Sequence, residues 1–222
     1  MSGLVIQTIK QRSASVNVNC YLVFDEAAGE AAAIDPGGQA ETVCRRLRAI
    51  KCSLKYIILT HGHFDHTMCT AELKRITGAQ VCMNAADEAF IGDPVLNASD
   101  FANAPPVEPF CIDKYLNDGD RVSIGGGFLS VIETPGHTLG SISLYMPGYL
   151  ICGDTILKGT TGRMDLYGAD PEEIRQSIRD KIFTLPNDTV IFCGHNAPTT
   201  VNYEKENNDT VKIQALTKGT ST

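Results

Sequence analysis

Short apolar runs separated by Gly and Pro predict most of the β-strands of this chain. In the first half these runs cover residues 4–9, 20–24, 31–34, 56–60 and 80–83. A helix is predicted over residues 40–50, because apolar Val43, Leu47 and Ile50 recur at helical spacing with arginines between them. A second helical pattern follows the fourth run and ends at Gly78.

The second half of the chain repeats this alternation of strands and helices. Its apolar runs predict strands over residues 121–124, 128–133, 141–146, 149–152 and 189–193. Asp170, followed by Pro and two Glu, is a strong helix start, and a short polar helix is predicted from about residue 199. A Pro-rich loop covers residues 92–109. With no linker between the halves, we expect a single domain of layered α and β structure over residues 1–222.

Charge and composition narrow the function classes. The 222 residues carry a formal charge of −7, which disfavours nucleic acid as a partner. No apolar run is long enough to cross a bilayer, and residues 1–13 lack the features of a secretion signal, so we expect a cytoplasmic protein without a membrane partner. The eight Cys are dispersed with no C-x-x-C pair, which predicts buried, reduced thiols.

A dense group of polar side chains follows the predicted strand at 56–60. Three imidazoles and one carboxylate lie within six positions, at His61, His63, Asp65 and His66. In an extended segment, side chains two positions apart point the same way, so His61 and His63 can converge on one point. Asp65 and His66 enter the following helix and point elsewhere, which suits a second metal beside the first. The pattern predicts a metal centre, because imidazoles and carboxylates are the ligands of hydrolytic metals.

The remaining two His and one Asp follow the same local pattern. His137, Asp154 and His195 each follow an apolar strand and a Gly. All five His of the chain therefore lie at predicted strand ends, which favours a shared metal centre over isolated structural roles. Asp35, after the third strand, is interpreted as structural or as a support for a ligand.

The His-x-His-x-Asp-His motif, followed in order by a distant His, Asp and His, resembles the metallo-β-lactamase superfamily. Within it, the chain resembles the glyoxalase II-type hydrolases, because Asp154 stands where many true metallo-β-lactamases carry Cys. The Thr-Gly-Arg-Met-Asp segment at 161–165 and Glu204 also resemble this group. The resemblance covers nearly the whole chain and implies an α/β fold, the αβ/βα sandwich, with two mixed sheets face to face, helices outside and metals at one edge.

The resemblance also implies two divalent metal ions, with zinc expected and iron or manganese as alternatives. The implied ligands are His61, His63 and His137 for the first ion and Asp65, His66 and His195 for the second. Asp154 would bridge both ions. The implied nucleophile is a hydroxide held between the metals, which attacks a thioester carbonyl, and the thiolate leaves readily because a thiol has a pKa of about 8.5. Asp65 would also orient the hydroxide or take a proton.

The chain departs from the family pattern at several points. Met68 and Cys69 follow His66 where Gly is frequent, and Asn207-Asn208 replaces an expected Asn-Pro. Only 222 − 195 = 27 residues follow the last predicted ligand, so we expect the helical glutathione-binding domain of full-length glyoxalase II to be missing.

These observations leave more than one function open. The leading hypothesis is a dinuclear hydrolase of small thioesters such as hydroxyacylglutathione. The alternative is a persulfide dioxygenase with one iron on His61, His137 and Asp154, acting on glutathione persulfide. A binding protein with a vestigial centre is disfavoured because no ligand is missing, and RNA processing because no basic patch is present. β-Lactam hydrolysis is at most a weak side activity, and the oligomeric state stays open.

Overall fold

The computed structural model describes residues 3–212, which form two six-stranded sheets. The first sheet contains β1 (Val5–Ser13), β2 (Val16–Asp25), β3 (Glu30–Ile34), β4 (Ser53–Ile58), β5 (Gln80–Met83) and β6 (Lys114–Tyr115). The second contains β7 (Arg121–Ile124), β8 (Gly127–Glu133), β9 (Ile142–Met146), β10 (Tyr149–Ile151), β11 (Val190–Phe192) and β12 (Thr199–Thr200). The single domain predicted for 1–222 includes two residues at the start and ten at the end that lie outside the described residues.

Helices connect and cover these strands. They are α1 (Ala40–Ile50), α2 (Phe64–Thr67), α3 (Thr70–Thr77), α4 (Pro171–Ser177), α5 (Val201–Asn207) and α6 (Asp209–Lys212). A 3₁₀ helix spans Ala85–Phe90, and a π-helical turn at Ile178–Ile182 extends α4. The helix predicted at Asp170 is confirmed, because the Asp170 carboxylate accepts hydrogen bonds from the backbone N–H groups of Glu172 and Glu173.

Both sheets are mixed. In the first sheet β1, β2 and β3 are antiparallel neighbours, whereas β3, β4, β5 and β6 run parallel to one another. In the second sheet, order β12-β11-β10-β9-β8-β7, only β10 and β11 are parallel. Helices on the outer faces complete the predicted αβ/βα sandwich, and the fold prediction is confirmed.

The main core lies between the two sheets. Ile34 and Ile58 of the first sheet pack in one cluster with Leu129 and Leu144 of the second. Two further clusters join the outer face of each sheet to its helices. In the first, Val43, Leu47 and Leu73 from α1 and α3 lie against Leu22 and Ile57; in the second, Ile174, Ile178 and Ile182 lie against Leu150 and Ile191. This packing holds the loops at one edge of the sandwich in fixed positions.

The differences from the sequence-based prediction concern polar or very short strands. β1 extends to Ser13, beyond the predicted end at residue 9, because Gln11 and Ser13 are buried while Lys10 and Arg12 face solvent. The helix predicted from about 199 begins at Val201, after the short strand β12. β4 covers Ser53–Ile58 rather than 56–60, and β6 had no apolar signal.

Two further predictions concern the state of the Cys residues and the lack of a membrane-spanning segment. All eight Cys are free thiols; seven are buried, as predicted, whereas Cys111 is exposed. Among the described residues, every helix is too short or too polar to span a membrane.

Candidate metal centre

The seven side chains predicted as metal ligands come together at one edge of the sandwich. His61 and His63 follow β4, Asp65 and His66 lie in α2, His137 lies between β8 and β9, Asp154 follows β10 and His195 follows β11. They form two groups of converging ligand atoms with Asp154 between them. The strand-end pattern in the sequence thus corresponds to proximity in the structure.

Backbone hydrogen bonds tie the ligand loops together, both within the second sheet and between the two sheets. The Ile142 N–H at the start of β9 donates to the carbonyl of Thr60 (2.8 Å), and the Gly194 N–H donates to the carbonyl of Gly153 (2.7 Å). A Cβ atom on Gly194 would lie 2.2 Å from Oδ1 of Asp154, so only glycine permits this close approach. The ligand side chains are therefore carried on a rigid frame.

The first group consists of His61, His63 and His137, all buried, with one nitrogen of each within 4.8 Å of the others. Nδ1 of His63 lies 3.0 Å from Nε2 of His137. Nδ1 of His137 donates to the carbonyl of Arg163 (2.8 Å), and Nδ1 of His61 lies 3.1 Å from the hydroxyl of Thr60. These outer contacts orient the rings so that Nε2 of His61 and His137 is available in the centre.

The second group consists of Asp65, His66 and His195. Nδ1 of His66 donates to Oδ2 of Asp35 (3.0 Å), and Nδ1 of His195 donates to the carbonyl of Asn17 (2.6 Å). The two Nε2 atoms consequently face each other at 3.4 Å, and Oδ2 of Asp65 lies 3.2 Å from Nε2 of His195. Once deprotonated, two imidazole nitrogens at this separation can share a cation placed between them.

Asp154 contacts both groups. Its Oδ2 lies 3.8 Å from Nε2 of His137 in the first group and 3.3 Å from Nε2 of His195 in the second. Its Oδ1 lies 3.6 Å from Nε2 of His66. A single carboxylate is therefore within reach of both halves of the centre, which is the position of a bridging ligand.

Two imidazoles of the first group, those of His61 and His63, are uncharged. Burial lowers the pKa of His63 to about 3, and burial together with the neighbouring imidazoles holds the pKa of His61 well below its ordinary value. Both rings are neutral at physiological pH and have the protonation state that a metal ligand requires.

The second group has the opposite character. Burial disfavours a charged His195, but the carboxylates of Asp154 and Asp65 outweigh burial and raise its pKa to about 11. The same carboxylates overcome burial at His66 and raise its pKa to about 9. The imidazoles in turn hold the pKa of Asp154 well below its usual range, despite burial. This half of the centre attracts positive charge.

The side chains fit a pair of divalent metal ions. Among the described residues, Nε2 of His61 and Oδ1 of Asp154 are buried atoms without a hydrogen-bond partner. Such orphaned polar atoms are costly unless a ligand satisfies them. The donor set of imidazoles and carboxylates suits zinc, iron and manganese, so the residues are positioned for metal binding while the identity of the metal stays a prediction.

Two buried carboxylates support the ligands. Asp35 accepts from the backbone N–H (2.8 Å) and hydroxyl (2.7 Å) of Thr60 as well as from His66, in agreement with its predicted supporting role. Asp87 was missed by the sequence analysis. Its carboxylate accepts from the N–H groups of Gly62 (2.8 Å) and Gly140 (2.7 Å), and so links the loops that carry His63 and His137.

A cleft with a volume of about 450 Å³ opens beside the metal ligands. Ala98, Phe101 and Ala102 of the predicted 92–109 loop line it together with Leu157, Arg163 and Leu166. The Arg163 guanidinium pairs with both oxygens of Asp165 (2.7 and 2.9 Å) and lies 4.4 Å from the centre of the Phe101 ring. Apart from the ligands and two asparagines, the lining of the cleft is mostly apolar. Glu204 lies outside it, where its buried carboxylate accepts from the N–H of Gly159 and the hydroxyl of Thr199.

Sequence comparison defines the class of protein to which this fold and site belong. Residues 15–195 match the profile of the metallo-beta-lactamase superfamily. The chain belongs to this superfamily and is a metallo-hydrolase of that class, which confirms the resemblance seen in the sequence.

Two relatives within the superfamily carry the name of a particular enzyme. The chain is 32% identical over 193 residues to hydroxyacylglutathione hydrolase GloC of Haemophilus influenzae, covering 86% of this chain and 91% of that protein. It is 37% identical over 177 residues to a hydroxyacylglutathione hydrolase of Rhodospirillum rubrum, covering 79% of this chain and 60% of that protein.

Solved structures share the fold. The BLEG-1 B3 metallo-beta-lactamase is 30% identical with a TM-score of 0.86, covering 93% of this chain and 99% of its own. TTHA1623, solved in a di-iron-bound form, is 28% identical with a TM-score of 0.79, covering 91% and 98%. ETHE1 of Myxococcus xanthus is 24% identical with a TM-score of 0.75, covering 98% and 92%, and shows the fold alone.

Proposed function

We propose that this chain is a dinuclear metal hydrolase of small thioesters, with hydroxyacylglutathione as the leading substrate and zinc as the expected metal. The two relatives named hydroxyacylglutathione hydrolase support the substrate class. The donor chemistry supports zinc, with iron and manganese as alternatives. The di-iron form of TTHA1623 makes iron a necessary arm of any test.

One observation carries the proposal: Asp154 reaches both groups of ligands. Its carboxylate lies within 3.8 Å of imidazoles from each group, and neither group lacks a member. In our proposal His61, His63 and His137 hold one ion, and Asp65, His66 and His195 hold the other. A centre built for one ion would leave the buried imidazoles and carboxylate of the second group without a function.

The chemistry follows from this arrangement. When bound, two divalent ions at this position would bring the pKa of a water molecule toward neutrality and polarise the carbonyl of a thioester. Asp65 lines the cleft, and the imidazoles around it keep the pKa of its carboxyl lowered despite burial, so Asp65 is ionised at neutral pH. We propose that Asp65 orients the attacking water and accepts its proton.

The cleft supports an acyl substrate. Phe101, Leu157 and Leu166 contribute apolar surface beside the ligands, against which an acyl group can pack. Cleavage releases a thiolate, whose ordinary pKa of about 8.5 makes proton donation to the leaving group a minor requirement. Among the described residues, those that line the cleft include no Lys or Tyr that could donate such a proton.

The proposal is tested with protein stripped of metal and reloaded separately with zinc, iron or manganese. We expect hydrolysis of S-lactoylglutathione only in loaded protein, with two metals per chain and little turnover of a chromogenic β-lactam. Thiol release is followed colorimetrically with a thiol reagent, and metal content is measured on the same samples. One iron per chain, with oxygen uptake on a glutathione persulfide and no thioester hydrolysis, would instead establish the dioxygenase alternative.

A further inference from the structure

A second, polar cleft lies beside the metal cleft. It has a volume of about 680 Å³ and is lined by Lys10, Gln11, Arg12, Asn17, Asn19, Asn196 and Ala197. Asn17 and Asn196 line both clefts. The two clefts therefore adjoin each other at Asn17 and Asn196, so one elongated ligand could contact both.

The polar cleft contains two cations without carboxylate partners. Lys10 and Arg12 are two positions apart on β1, so their side chains project from the same face of the strand. Nζ of Lys10 donates to Oδ1 of Asn19 (2.7 Å) and to the carbonyl of Asn196 (2.9 Å), and Nε of Arg12 donates to the carbonyl of Ala14 (3.1 Å). Within residues 3–212 these partners are all neutral, so both positive charges remain available in a chain of net charge −7.

The same chain segment forms the floor of the polar cleft and carries a metal ligand. Asn196 directly follows His195 and adopts a left-handed backbone (φ 60°). The side chain of Asn19 donates to the carbonyls of Cys193 (2.8 Å) and Asn196 (3.1 Å), and the carbonyl of Asn17 orients the His195 ring. Lys10 is thus fixed, through Asn19 and Asn196, relative to the metal centre, and Arg12 lies beside it on β1.

The two clefts differ in the charge that they offer. Arg163 is the one Lys or Arg among the described residues lining the metal cleft, and its charge is neutralised by the bidentate contact with Asp165. The polar cleft offers Lys10 and Arg12 without such neutralisation. A thioester with an apolar or neutral acyl group and an anionic thiol carrier matches this division.

We propose that the cleft around Lys10 and Arg12 binds the anionic group of the thiol carrier, a carboxylate or a phosphate. This inference rests on the proposed thioester hydrolysis. Glutathione supplies carboxylates and coenzyme A supplies phosphates, and both are recognised by the same cationic side chains. In this proposal, residues of β1 and of the segment after β11 recognise the thiol carrier.

The test compares three thioesters with the same lactoyl group on glutathione, coenzyme A or uncharged N-acetylcysteamine. In zinc-loaded Lys10→Ala and Arg12→Ala proteins, we expect KM for an anionic carrier to rise about tenfold while kcat stays within about twofold. The N-acetylcysteamine thioester should react as with the unmodified protein. Arg45→Ala, which removes an exposed cation of α1 that lines neither cleft, is the matched control and should change no parameter.

Conservative variants separate charge from local structure. Lys10→Arg and Arg12→Lys should restore KM, because the positive charge returns. An unchanged KM in both Ala variants, or an equal rise for the charged and uncharged carriers, would overturn the inference and leave the proposed function standing. The carrier whose thioester shows the raised KM in the Ala variants, glutathione or coenzyme A, identifies whether the cleft binds a carboxylate or a phosphate.

Binding without turnover separates this inference from the proposed function. S-methylglutathione and S-methyl-coenzyme A contain the carriers without a thioester, and calorimetry measures their affinity in each variant. About tenfold weaker binding of one of them to Lys10→Ala supports the subsite even if no thioester is hydrolysed. If neither probe binds the unmodified protein, or binding is equal in the variant, the subsite is rejected.

Discussion

The two groups of metal ligands differ in composition, in charge and in the protonation of their imidazoles. The first group, His61, His63 and His137, contains imidazoles alone, and the lowered pKa values of His61 and His63 keep those two rings neutral. The second group places two imidazoles beside carboxylates, and His66 and His195 have raised pKa values of about 9 and about 11. Burial dominates one group, and charge dominates the other.

This difference implies two modes of metal binding. A metal entering the first group meets His61 and His63 in their neutral state. A metal entering the second group displaces protons from His66 and His195, so its affinity is coupled to pH. Asp154, which contacts both groups, connects the two sites.

Removal of Asp154 is expected to have the largest effect. In Asp154→Ala both sites lose a ligand, and we expect loss of both metals with a fall in kcat/KM greater than the about 10- to 100-fold seen when an outer partner of a ligand is removed. Metal content and thioester hydrolysis are measured on the same sample. Asp188→Ala, at an exposed carboxylate before β11, is the control. Full activity with two metals retained in Asp154→Ala would contradict the bridging role.

Removal of one ligand from each group separates the two sites. His195→Ala should leave the first group intact and reduce the metal content from two ions to one, with weaker hydrolysis than the unmodified protein. His63→Ala should affect the other ion. Equal loss of both ions in both variants, measured by elemental analysis after dialysis, would mean that the centre behaves as one indivisible site.

A change of pH should distinguish the groups without mutation. His66 and His195 bind protons below their raised pKa values, and a metal at the second group must displace both protons. Its apparent affinity should therefore fall as the pH drops, by about tenfold per pH unit for each proton that the metal displaces. His61 and His63 are already neutral and add no such dependence. Zinc-buffered dialysis between about pH 8 and about pH 6 should release the second ion first; parallel release of both ions would contradict the comparison.

The supporting carboxylate of the second group should have a smaller, selective effect. Asp35→Asn weakens the hydrogen bond to Nδ1 of His66, and we expect about tenfold weaker binding of the second ion with little change at the first. Competition with a chelator measures both affinities. An effect confined to the first ion would show that Asp35 acts through Thr60 and His61 instead.

The sequence predicted the metal centre and the fold in outline because the informative residues are local. Helix α1 was predicted at its observed bounds, since Val43 and Leu47 form one apolar face. His61, His63, Asp65 and His66 lie within six positions, so their proximity follows from chain connectivity. Their convergence with His137 and His195 agrees with the strand-end pattern, while their individual roles as ligands stay predictions.

Other features depend on contacts between distant segments. Asp87 lies in a 3₁₀ helix with no motif around it, and its role emerges only from hydrogen bonds to Gly62 and Gly140. In the sequence, Lys10 and Arg12 resemble ordinary surface charges. Their shared cleft becomes visible only in the fold, where β1 lies beside the segment after β11. The strand β6 is only two residues long, so periodicity had too little length to predict it.

A titration of metal into stripped protein tests the central claim most directly. Zinc is added in known equivalents, and the initial rate of S-lactoylglutathione hydrolysis is followed at each step. We predict little hydrolysis until the first ion is bound and a rise in rate that ends at two equivalents per chain. Full activity at one equivalent, or no hydrolysis at any loading, would contradict a dinuclear thioester hydrolase.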